Sequence, residues 1–395
     1  MHIEFTPDQK KLRREVADYY KNLFTPELRR AFDEEHEQMG GPVFREIVSQ
    51  MGRDGWLGIG WPKEYGGQGR TPLDQFIFWN ETWKARAPLP IIMVTTIGPT
   101  LMQYGSEAQK SEFLPRIQRG ELLFGVGYSE PHAGTDLASL QTRAVRDGDD
   151  YVINGQKVWT THGQAADYIW LAARTDPDAP KHKGISIILV PTTDPGFSFT
   201  PIYTVGRERT NVTYYKDVRV PVSNLVGPEN AGWSLITSQL NHERIVLVIP
   251  GFAEYVFDDV WRWACETPLP GGGRVIDQQW VQVKLARIQA KLQALHVLSW
   301  RAAWALTEGV PSMADASALK VMGSEFFVES QNLLLEITGS AGLVAKGESD
   351  SLLDGKLEAA YRSALTYTFG GGVNEVQRDI IAMAGLGMPR ARPRN

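Results

Sequence analysis

The spacing of apolar residues changes twice along the chain, and this limits the folds that the chain can adopt. Up to about residue 120 apolar residues recur at helical spacing, as between Leu12 and Leu23. Short apolar runs separated by turn signals then follow, a pattern typical of antiparallel strands. Beyond Trp233 long helical patterns return. The sequence therefore predicts an α+β multidomain protein with an all-α N-terminal domain (1–120), a middle antiparallel β-barrel or sandwich (121–232) and a C-terminal four-helix bundle (233–395).

Local signals add detail to this division. The segment Thr6-Pro7-Asp8-Gln9 predicts the start of a helix, since Thr6 can cap it and Gln9 can close a capping box. The dipeptides Asp147-Gly148 and Asn154-Gly155 are typical of hairpin turns. Pro250-Gly251 predicts a break or kink in the first bundle helix. Because no strand-Gly-helix unit occurs, the sequence does not indicate a Rossmann flavoprotein.

Charge and composition exclude several classes of function. The net charge is −5, and the 41 Lys and Arg residues are spread along the chain, so we expect no nucleic-acid surface. The longest apolar runs are too short for a bilayer span, and the start of the chain is charged rather than signal-like, so we expect no membrane role. The single cysteine, Cys265, excludes an internal disulfide. A cytoplasmic protein without metal ligands is expected.

The segment from Gly127 to Gln164 contains groups that suit a flavin. Ser129 and Thr161 offer hydroxyls, and Trp159 offers a flat apolar face. Gly134 and Thr135 offer backbone N–H groups to a pyrophosphate. A purely structural role is the alternative, since a tryptophan in a strand is usually core and a hydroxyl in a turn usually satisfies the backbone.

Five long motifs carry a resemblance over nearly the whole chain. In order they read GWPKEYGGQG, YSEPHAGTD, NGQKVWTTHG, LNHER and NEVQRDIIAMAGLGMPR. With these motifs the chain resembles the acyl-CoA dehydrogenase family from Met1 to Arg390. The resemblance implies FAD as cofactor and an acyl-CoA thioester as substrate. In the implied reaction a carboxylate removes the α proton while the β hydride moves to flavin N5.

The resemblance also assigns roles to residues. Ser129 and Thr161 are expected to hydrogen-bond the flavin and favour its reduced, electron-rich ring. Trp159 is expected to shield the ring face opposite the substrate. Gly134 and Thr135 are expected to bind the pyrophosphate. The remaining implied cofactor contacts are Tyr128, through its main chain, Thr160, Val373 and Glu375.

The chain departs from the family at the catalytic base. The family's most common position for the catalytic glutamate is Gly371, which cannot accept a proton. A minority of the family places the base on the first bundle helix, directly before an arginine, and here these residues are Glu243 and Arg244. By default a neighbouring Glu and Arg form a surface pair of little energetic consequence. His242 is a poorer candidate, because adjacent helical residues point about 100° apart.

A second departure concerns the assembly. Homotetrameric members carry an Arg-x-x-Phe-Gly segment that reaches a neighbour's flavin, whereas residues 268–274 here read PLPGGGR. Arg274 could substitute, but the glycines before it predict little fixed support. Residues 335–340 also lack the usual glutamine and second glycine. The pattern resembles actinobacterial acyl-CoA dehydrogenases that act on steroid side-chain thioesters as heterotetramers, so a related second subunit is expected.

The sequence favours the catalytic subunit of such a complex, passing electrons to electron-transferring flavoprotein. A non-catalytic partner subunit is the main alternative, and an oxidase or an enzyme for branched or long-chain acyl-CoA remains open. The break at Pro250-Gly251 favours a bulky substrate, although it is also compatible with packing alone.

Overall fold

The computed structural model describes residues 4–35, 40–206 and 208–389, and for residues 240–245 it describes the backbone only. The N-terminal part is helical, as predicted. Its α-helices are α1 (Pro7–Leu23), α2 (Pro26–Glu35), α3 (Pro42–Arg53), α4 (Pro72–Lys84), α5 (Gly98–Tyr104) and α6 (Glu107–Gln118), with a π-helical segment at Ile92–Ile97. The predicted start of α1 is confirmed, because Gln9 N–H donates to Thr6 Oγ1 at 3.2 Å and Thr6 N–H donates to Gln9 Oε1 at 3.0 Å.

In the described residues the middle part is a sheet of eight strands. They are β1 (Phe124–Gly127), β2 (Arg143–Asp147), β3 (Asp150–Lys157), β4 (Tyr168–Arg174), β5 (Ile185–Pro191), β6 (Phe197–Tyr203), β7 (Arg209–Pro221) and β8 (Leu225–Val226). Their order is β6-β7-β3-β2-β4-β5-β8, and β1 pairs with β4. Most pairs are antiparallel as predicted, but β1 runs parallel to β4 and β2 makes one parallel pair with β4.

One of the two predicted hairpin turns is wrong. Asp147 and Gly148 do belong to the β2–β3 hairpin, in which Asp147 pairs with Asp150. Asn154 and Gly155 instead lie inside β3, where the register against β7 shifts. The Asn154 side chain bridges the irregularity, donating to Asp217 Oδ1 and accepting from Asp217 N–H, both at 3.0 Å. Gly155 is required there, because its φ is +151° and a Cβ would lie 2.5 Å from Thr142 Oγ1.

The C-terminal part returns to helices. They are α7 (Gly232–Val246), α8 (Gly251–Glu266), α9 (Gln279–Thr307), α10 (Met313–Thr338), α11 (Lys356–Ala364) and α12 (Asn374–Ile380). The predicted break is confirmed, since α7 ends at Val246 and α8 begins at Gly251. The change from helix to strand lies between α6 and β1, and the change back lies between β8 and α7. The domain limits at 120/121 and 232/233 stay predictions.

Among the described side chains, three hydrophobic cores hold these parts together. The largest joins α1, α4 and the π-helical segment to buried residues of β1, β4, β5 and α7, so the N-terminal helices and the sheet share one interior. A second core fills the C-terminal bundle, and a third lies within the sheet. Among the described helices, none is long and apolar enough to cross a membrane.

A buried polar cluster lies where α4, α8 and α9 meet. Glu254 accepts hydrogen bonds from His296 Nε2 at 2.7 Å and Asn80 Nδ2 at 3.2 Å, and Lys84 Nζ lies 3.5 Å away. Burial alone would raise the pKa of Glu254. The hydrogen bond and charge of His296, with Lys84 and Asn80, outweigh burial and lower that pKa to about 2.

This cluster makes folding stability depend on pH. The folded pKa of Glu254 lies below the unfolded value, so its stabilisation is complete above about pH 4.5 and is lost as pH falls towards 2. We expect Glu254→Gln to lower the free energy of unfolding by about 3 kcal/mol at neutral pH. The difference from wild type should shrink below about pH 4.5 in denaturant titrations. Glu266→Gln, at the exposed end of α8, should differ little from wild type. A constant Glu254→Gln difference down to pH 3 would contradict this assignment.

Candidate active site

Trp159 lies on the surface rather than in the core. Its side chain is 58% exposed, and its φ is +63°, a conformation that a bulky L residue rarely adopts. The turn is closed by a hydrogen bond from Thr161 N–H to the Trp159 carbonyl at 3.0 Å. Strain of this kind persists only where surrounding structure enforces it, and it is often found at functional sites. The structural alternative, a core tryptophan in a strand, is therefore wrong.

Ser129 lies beside the Trp159 turn. Its carbonyl accepts a hydrogen bond from Val158 N–H at 2.8 Å, which joins the two motifs that the sequence singled out. Ser129 and Thr161 are both half-buried. Within the described ranges neither hydroxyl has a protein hydrogen-bond partner. The structure thus brings together an aromatic face and two hydroxyls that remain available to a ligand.

Gly134 and Thr135 lie in an exposed turn after Ser129. The turn is held by reciprocal hydrogen bonds between the backbones of Glu130 and Ala133, at 3.0 and 3.1 Å. The N–H groups of Gly134 and Thr135 have no partner among the residues that the structure describes. A Cβ on Gly134 would meet nothing within 4 Å. Two open N–H groups in one turn can bind an anion such as a phosphate.

Thr160 differs from its neighbours because it is completely buried. Its hydroxyl lies 3.1 Å from the Thr213 hydroxyl, and its N–H donates to the Asn211 carbonyl at 2.9 Å. Its own carbonyl accepts from Asn211 Nδ2 at 3.0 Å. The polar groups of Thr160 are thus engaged inside the sheet. This position argues against the direct cofactor contact that the sequence suggested, and it gives Thr160 a supporting place beneath the Trp159 turn.

A buried ion pair supports the Ser129 loop from below. Lys157 Nζ lies 2.8 Å from Glu130 Oε1, with 0% and 2% of the two side chains exposed, and Lys157 also donates to the Tyr128 carbonyl at 3.0 Å. Glu130 accepts the N–H groups of Gln141 and Thr142 at 2.7 and 2.8 Å. Burial would raise the pKa of Glu130, but the charge of Lys157 and these hydrogen bonds lower it. Burial lowers the pKa of Lys157 to about 8, against the charge of Glu130.

Helix α7 carries the predicted base. Glu243 and Arg244 lie in its second half, and their side chains are outside the described part of the structure. The helix starts directly against β5, where a Cβ on Gly232 would lie 2.8 Å from the Ile185 carbonyl. Gln239, four residues before Glu243, is only 3% exposed. Its Oε1 accepts a hydrogen bond from the Tyr128 hydroxyl, which ties α7 to the Ser129 loop.

Gly371, which stands where a catalytic glutamate was expected, lies in a glycine loop before α12. Gly371 has a φ of +67°, a conformation that favours glycine. Lys320 on α10 is completely buried, and its Nζ donates to the Thr368 and Gly372 carbonyls and to Asn374 Oδ1 at 3.0, 2.7 and 2.8 Å. This lysine therefore fixes the loop from the bundle side.

Two further predicted cofactor contacts follow that loop. Val373 is the N-cap of α12, and Glu375 is exposed in its first turn. The helix packs on α10, so both residues lie with the bundle rather than in the turn around Trp159. Their contact with a cofactor stays a prediction.

The expectation that Arg274 lacks support is wrong. The glycines form a tight hairpin in which Leu269 N–H donates to the Gly273 carbonyl at 3.0 Å. Pro268 and Arg274 form a β-bridge, and the guanidinium donates to the Cys265 carbonyl at 3.1 Å. The Arg274 backbone is thus held by the hairpin, and its side chain, although 58% exposed, contacts the end of α8 in its own chain.

The sequence patterns did not identify several of these supporting residues. Glu130 and Lys157 stand inside quoted motifs, and the available signal was the charge of Lys157 at a position that alternates with the apolar Tyr151 and Ile153. Gln239 had a weaker signal, its spacing of four residues before Glu243. In the described ranges no three His, Cys, Asp or Glu side chains form a group that could hold a metal ion.

Comparison with protein families covers most of the chain. The family model described as "Acyl-CoA dehydrogenase, N-terminal domain" matches residues 6–121. The model for the acyl-CoA dehydrogenase middle domain matches residues 125–218. The model for the acyl-CoA dehydrogenase C-terminal domain matches residues 230–386. The three matches follow the order of the helical, sheet and helical parts of the structure.

Individual proteins match along the whole length. Acyl-CoA dehydrogenase FadE26 of Mycobacterium tuberculosis is 52% identical over 398 residues, covering 99% of this chain and 100% of the relative. A chain of the ChsE4-ChsE5 complex from Mycobacterium tuberculosis superposes with a TM-score of 0.93 at 53% identity, covering 99% and 100% of the two chains. A chain of the Tcur3481-Tcur3483 steroid ACAD gives a TM-score of 0.93 at 49% identity, with 99% and 100% covered.

Proposed function

Because the chain belongs to the acyl-CoA dehydrogenase family of oxidoreductases, we propose that it is the FAD-dependent catalytic subunit of a heteromeric complex that oxidises a bulky, steroid side-chain acyl-CoA. The observation that carries this proposal is the Trp159 turn. An exposed tryptophan in a strained conformation lies beside Ser129, Thr161 and two open backbone N–H groups. That set of groups suits a flavin ring and its pyrophosphate.

The residues of this turn fit FAD. Trp159 would cover one face of the ring, while the Ser129 and Thr161 hydroxyls would hydrogen-bond its polar edge. Gly134 and Thr135 would bind the pyrophosphate through their open N–H groups. Bound FAD would supply the acceptor for the hydride that leaves the β carbon. Tyr128, Val373 and Glu375 remain proposed contacts, and Thr160 supports the turn from within.

Glu243 is the proposed base for the α proton. Gly371 has no side chain to take the proton, and α7 is held against the Ser129 loop through Gln239. A carboxylate enclosed between flavin and substrate would have a raised pKa, because burial disfavours its charged form. Such a base is better matched to a weak carbon acid. Arg244 is its proposed supporting neighbour.

A second, related subunit would complete the cofactor site. Arg274 is committed to its own chain through Cys265, which supports the view that it does not reach a neighbouring flavin. The bundle also exposes several large apolar side chains, which a partner subunit would cover. They are Trp280, Val283, Trp304, Leu343, Leu386 and Met388. The similar ChsE4-ChsE5 complex is named after two different proteins, which supports a partner subunit of a different sequence here.

The assembly can be tested by flavin content. We expect the chain expressed alone to bind little FAD, and co-expression with a related subunit to give one FAD per unlike pair. Absorbance of the released flavin against protein concentration, with the mass of the complex, measures this ratio. A yellow homotetramer of this chain alone, with one FAD per subunit, would sink the heteromer proposal and leave the enzyme assignment standing.

Substrate and electron acceptor need separate assays. With an artificial acceptor, the complex should oxidise steroid side-chain acyl-CoA faster than a linear acyl-CoA of similar length. The break between α7 and α8 and the likeness to a steroid ACAD support this preference. Electron-transferring flavoprotein is the proposed natural acceptor. Oxygen consumption at a comparable rate would instead favour an oxidase.

A further inference from the structure

A chain of hydrogen bonds crosses the interior from the sheet to the N-terminal helices. Trp170 Nε1 donates to the Tyr128 hydroxyl at 3.1 Å, and that hydroxyl donates to Gln239 Oε1. Gln239 Nε2 then donates to Thr100 Oγ1 at 2.9 Å, and the Thr100 hydroxyl donates to the Thr96 carbonyl at 2.7 Å. All four bonds point in the same direction, so each polarises the next.

The chain of bonds is buried except at Tyr128, which is half-buried. Trp170 is fully buried, Gln239 is 3% exposed and Thr100 is 6% exposed. Since water cannot replace a lost partner at these positions, the amide of Gln239 has one favourable orientation, with its oxygen towards Tyr128 and its nitrogen towards Thr100. Gln239 therefore holds α7 on two sides, against Tyr128 through its amide oxygen and against Thr100 through its amide nitrogen.

Each member belongs to a different part of the fold. Trp170 lies on β4, Thr100 on α5 and Gln239 on α7. Tyr128 directly precedes Ser129, the residue that the proposed function places against the flavin. Gln239 lies four residues before Glu243, and positions four apart lie one turn apart on the same face of a helix. The Gln239 amide is thus the junction between the loop for the cofactor and the helix turn that carries the base.

We propose that Gln239 is a positioning residue that sets the distance between the Glu243 turn of α7 and the flavin-binding loop, acting through Tyr128 and Thr100. This inference rests on the proposed function. A base must lie within hydrogen-bond reach of the proton that it removes, and a displacement of about 1 Å can cost a hundredfold in rate. Two buried bonds on opposite sides of one amide suit that requirement.

The test uses Gln239→Leu and Tyr128→Phe in the complete complex. We expect each to lower kcat about tenfold or more while KM and the FAD content change little. The shift of the flavin absorbance on adding the enoyl-CoA product should also decrease, because the loop and the helix are no longer held in register. Tyr20→Phe is the matched control, since it deletes another buried tyrosine hydroxyl, bonded to Thr82 at 2.8 Å between α1 and α4. It should lower the melting temperature and leave kcat unchanged.

Gln239→Glu separates positioning from simple packing. While protonated, its carboxyl can accept from Tyr128 and donate to Thr100, so we expect kcat to recover at low pH. As pH rises and the carboxyl ionises, the donor to Thr100 is lost and kcat should fall below the wild-type profile. A wild-type kcat in Gln239→Leu would overturn this inference alone. An inactive wild-type complex, or one whose rate does not depend on Glu243, would overturn the proposed function and this inference together.

Discussion

Replacing Glu243 with glutamine is expected to lower kcat by about a hundred- to ten-thousandfold, the usual contribution of a general base. Glutamine keeps the size and polarity of the side chain but cannot accept a proton, so binding of FAD and acyl-CoA should persist. The measurement is single-turnover reduction of the flavin by acyl-CoA in the complete complex, since the flavin absorbance follows hydride transfer directly. Chemistry should become slow although the bound substrate still perturbs the flavin spectrum.

Glu266→Gln is the matched control for that experiment. Glu266 is the last residue of α8 and is exposed, so the same chemical change there should leave flavin reduction as in wild type. If Glu243→Gln also reduces its flavin at the wild-type rate, Glu243 is not the base. An inactive wild-type complex that nevertheless assembles would favour the non-catalytic partner subunit.

Replacing Lys157 with methionine is expected to lower the free energy of unfolding by about 3 to 5 kcal/mol. The methionine fills a similar volume but leaves Glu130 as a buried carboxylate without its cation, and the Tyr128 carbonyl loses its donor. We also expect FAD content to fall, because Tyr128 and Glu130 flank Ser129 in the loop that we propose to bind the flavin. Urea unfolding and flavin release by ultrafiltration measure the two effects.

The chain offers a control for this prediction a short distance away. Lys181 pairs with Asp136 at 2.9 Å, but the two side chains are 51% and 57% exposed. Lys181→Met should therefore cost less than about 1 kcal/mol, because exposed pairs are screened by water and salt. Equal losses in the two variants would mean that burial does not control the strength of the Lys157 pair.

Local sequence signals predicted much of the fold. The cap at Thr6 and the break at Pro250 depend on a few neighbouring residues, and both are where the sequence placed them. The hairpin turn predicted at Asn154-Gly155 was wrong, because the same dipeptide suits both a tight turn and an irregularity within a strand. The outcome there depends on Thr142, which directly precedes β2, and on Asp217 of β7. The parallel pairing of β1 could not be predicted either, since it is set by contacts with β4.

The candidate site was predicted where its residues form continuous motifs. Ser129, Gly134, Thr135, Trp159 and Thr161 stand in two motifs that the sheet places side by side. The burial of Thr160 could not be predicted, because residues in a strained turn do not alternate in a regular way between surface and interior. Gln239 was missed for a different reason: its partner Tyr128 is 111 residues away in sequence, and no local pattern reports such a pair.

The parallel pairing of β1 also bears on the order in which the protein can fold as it is synthesised. β1 pairs only with β4 among the described strands, and Trp170 on β4 lies 42 residues beyond Tyr128. The turn after β1 therefore cannot take its final form until the ribosome has released the whole β2–β3 hairpin and β4. Closing such a long loop slows the step relative to hairpin formation. The loop that we assign to the flavin thus forms later on the growing chain than the β2–β3 hairpin, although β2 and β3 follow it in sequence.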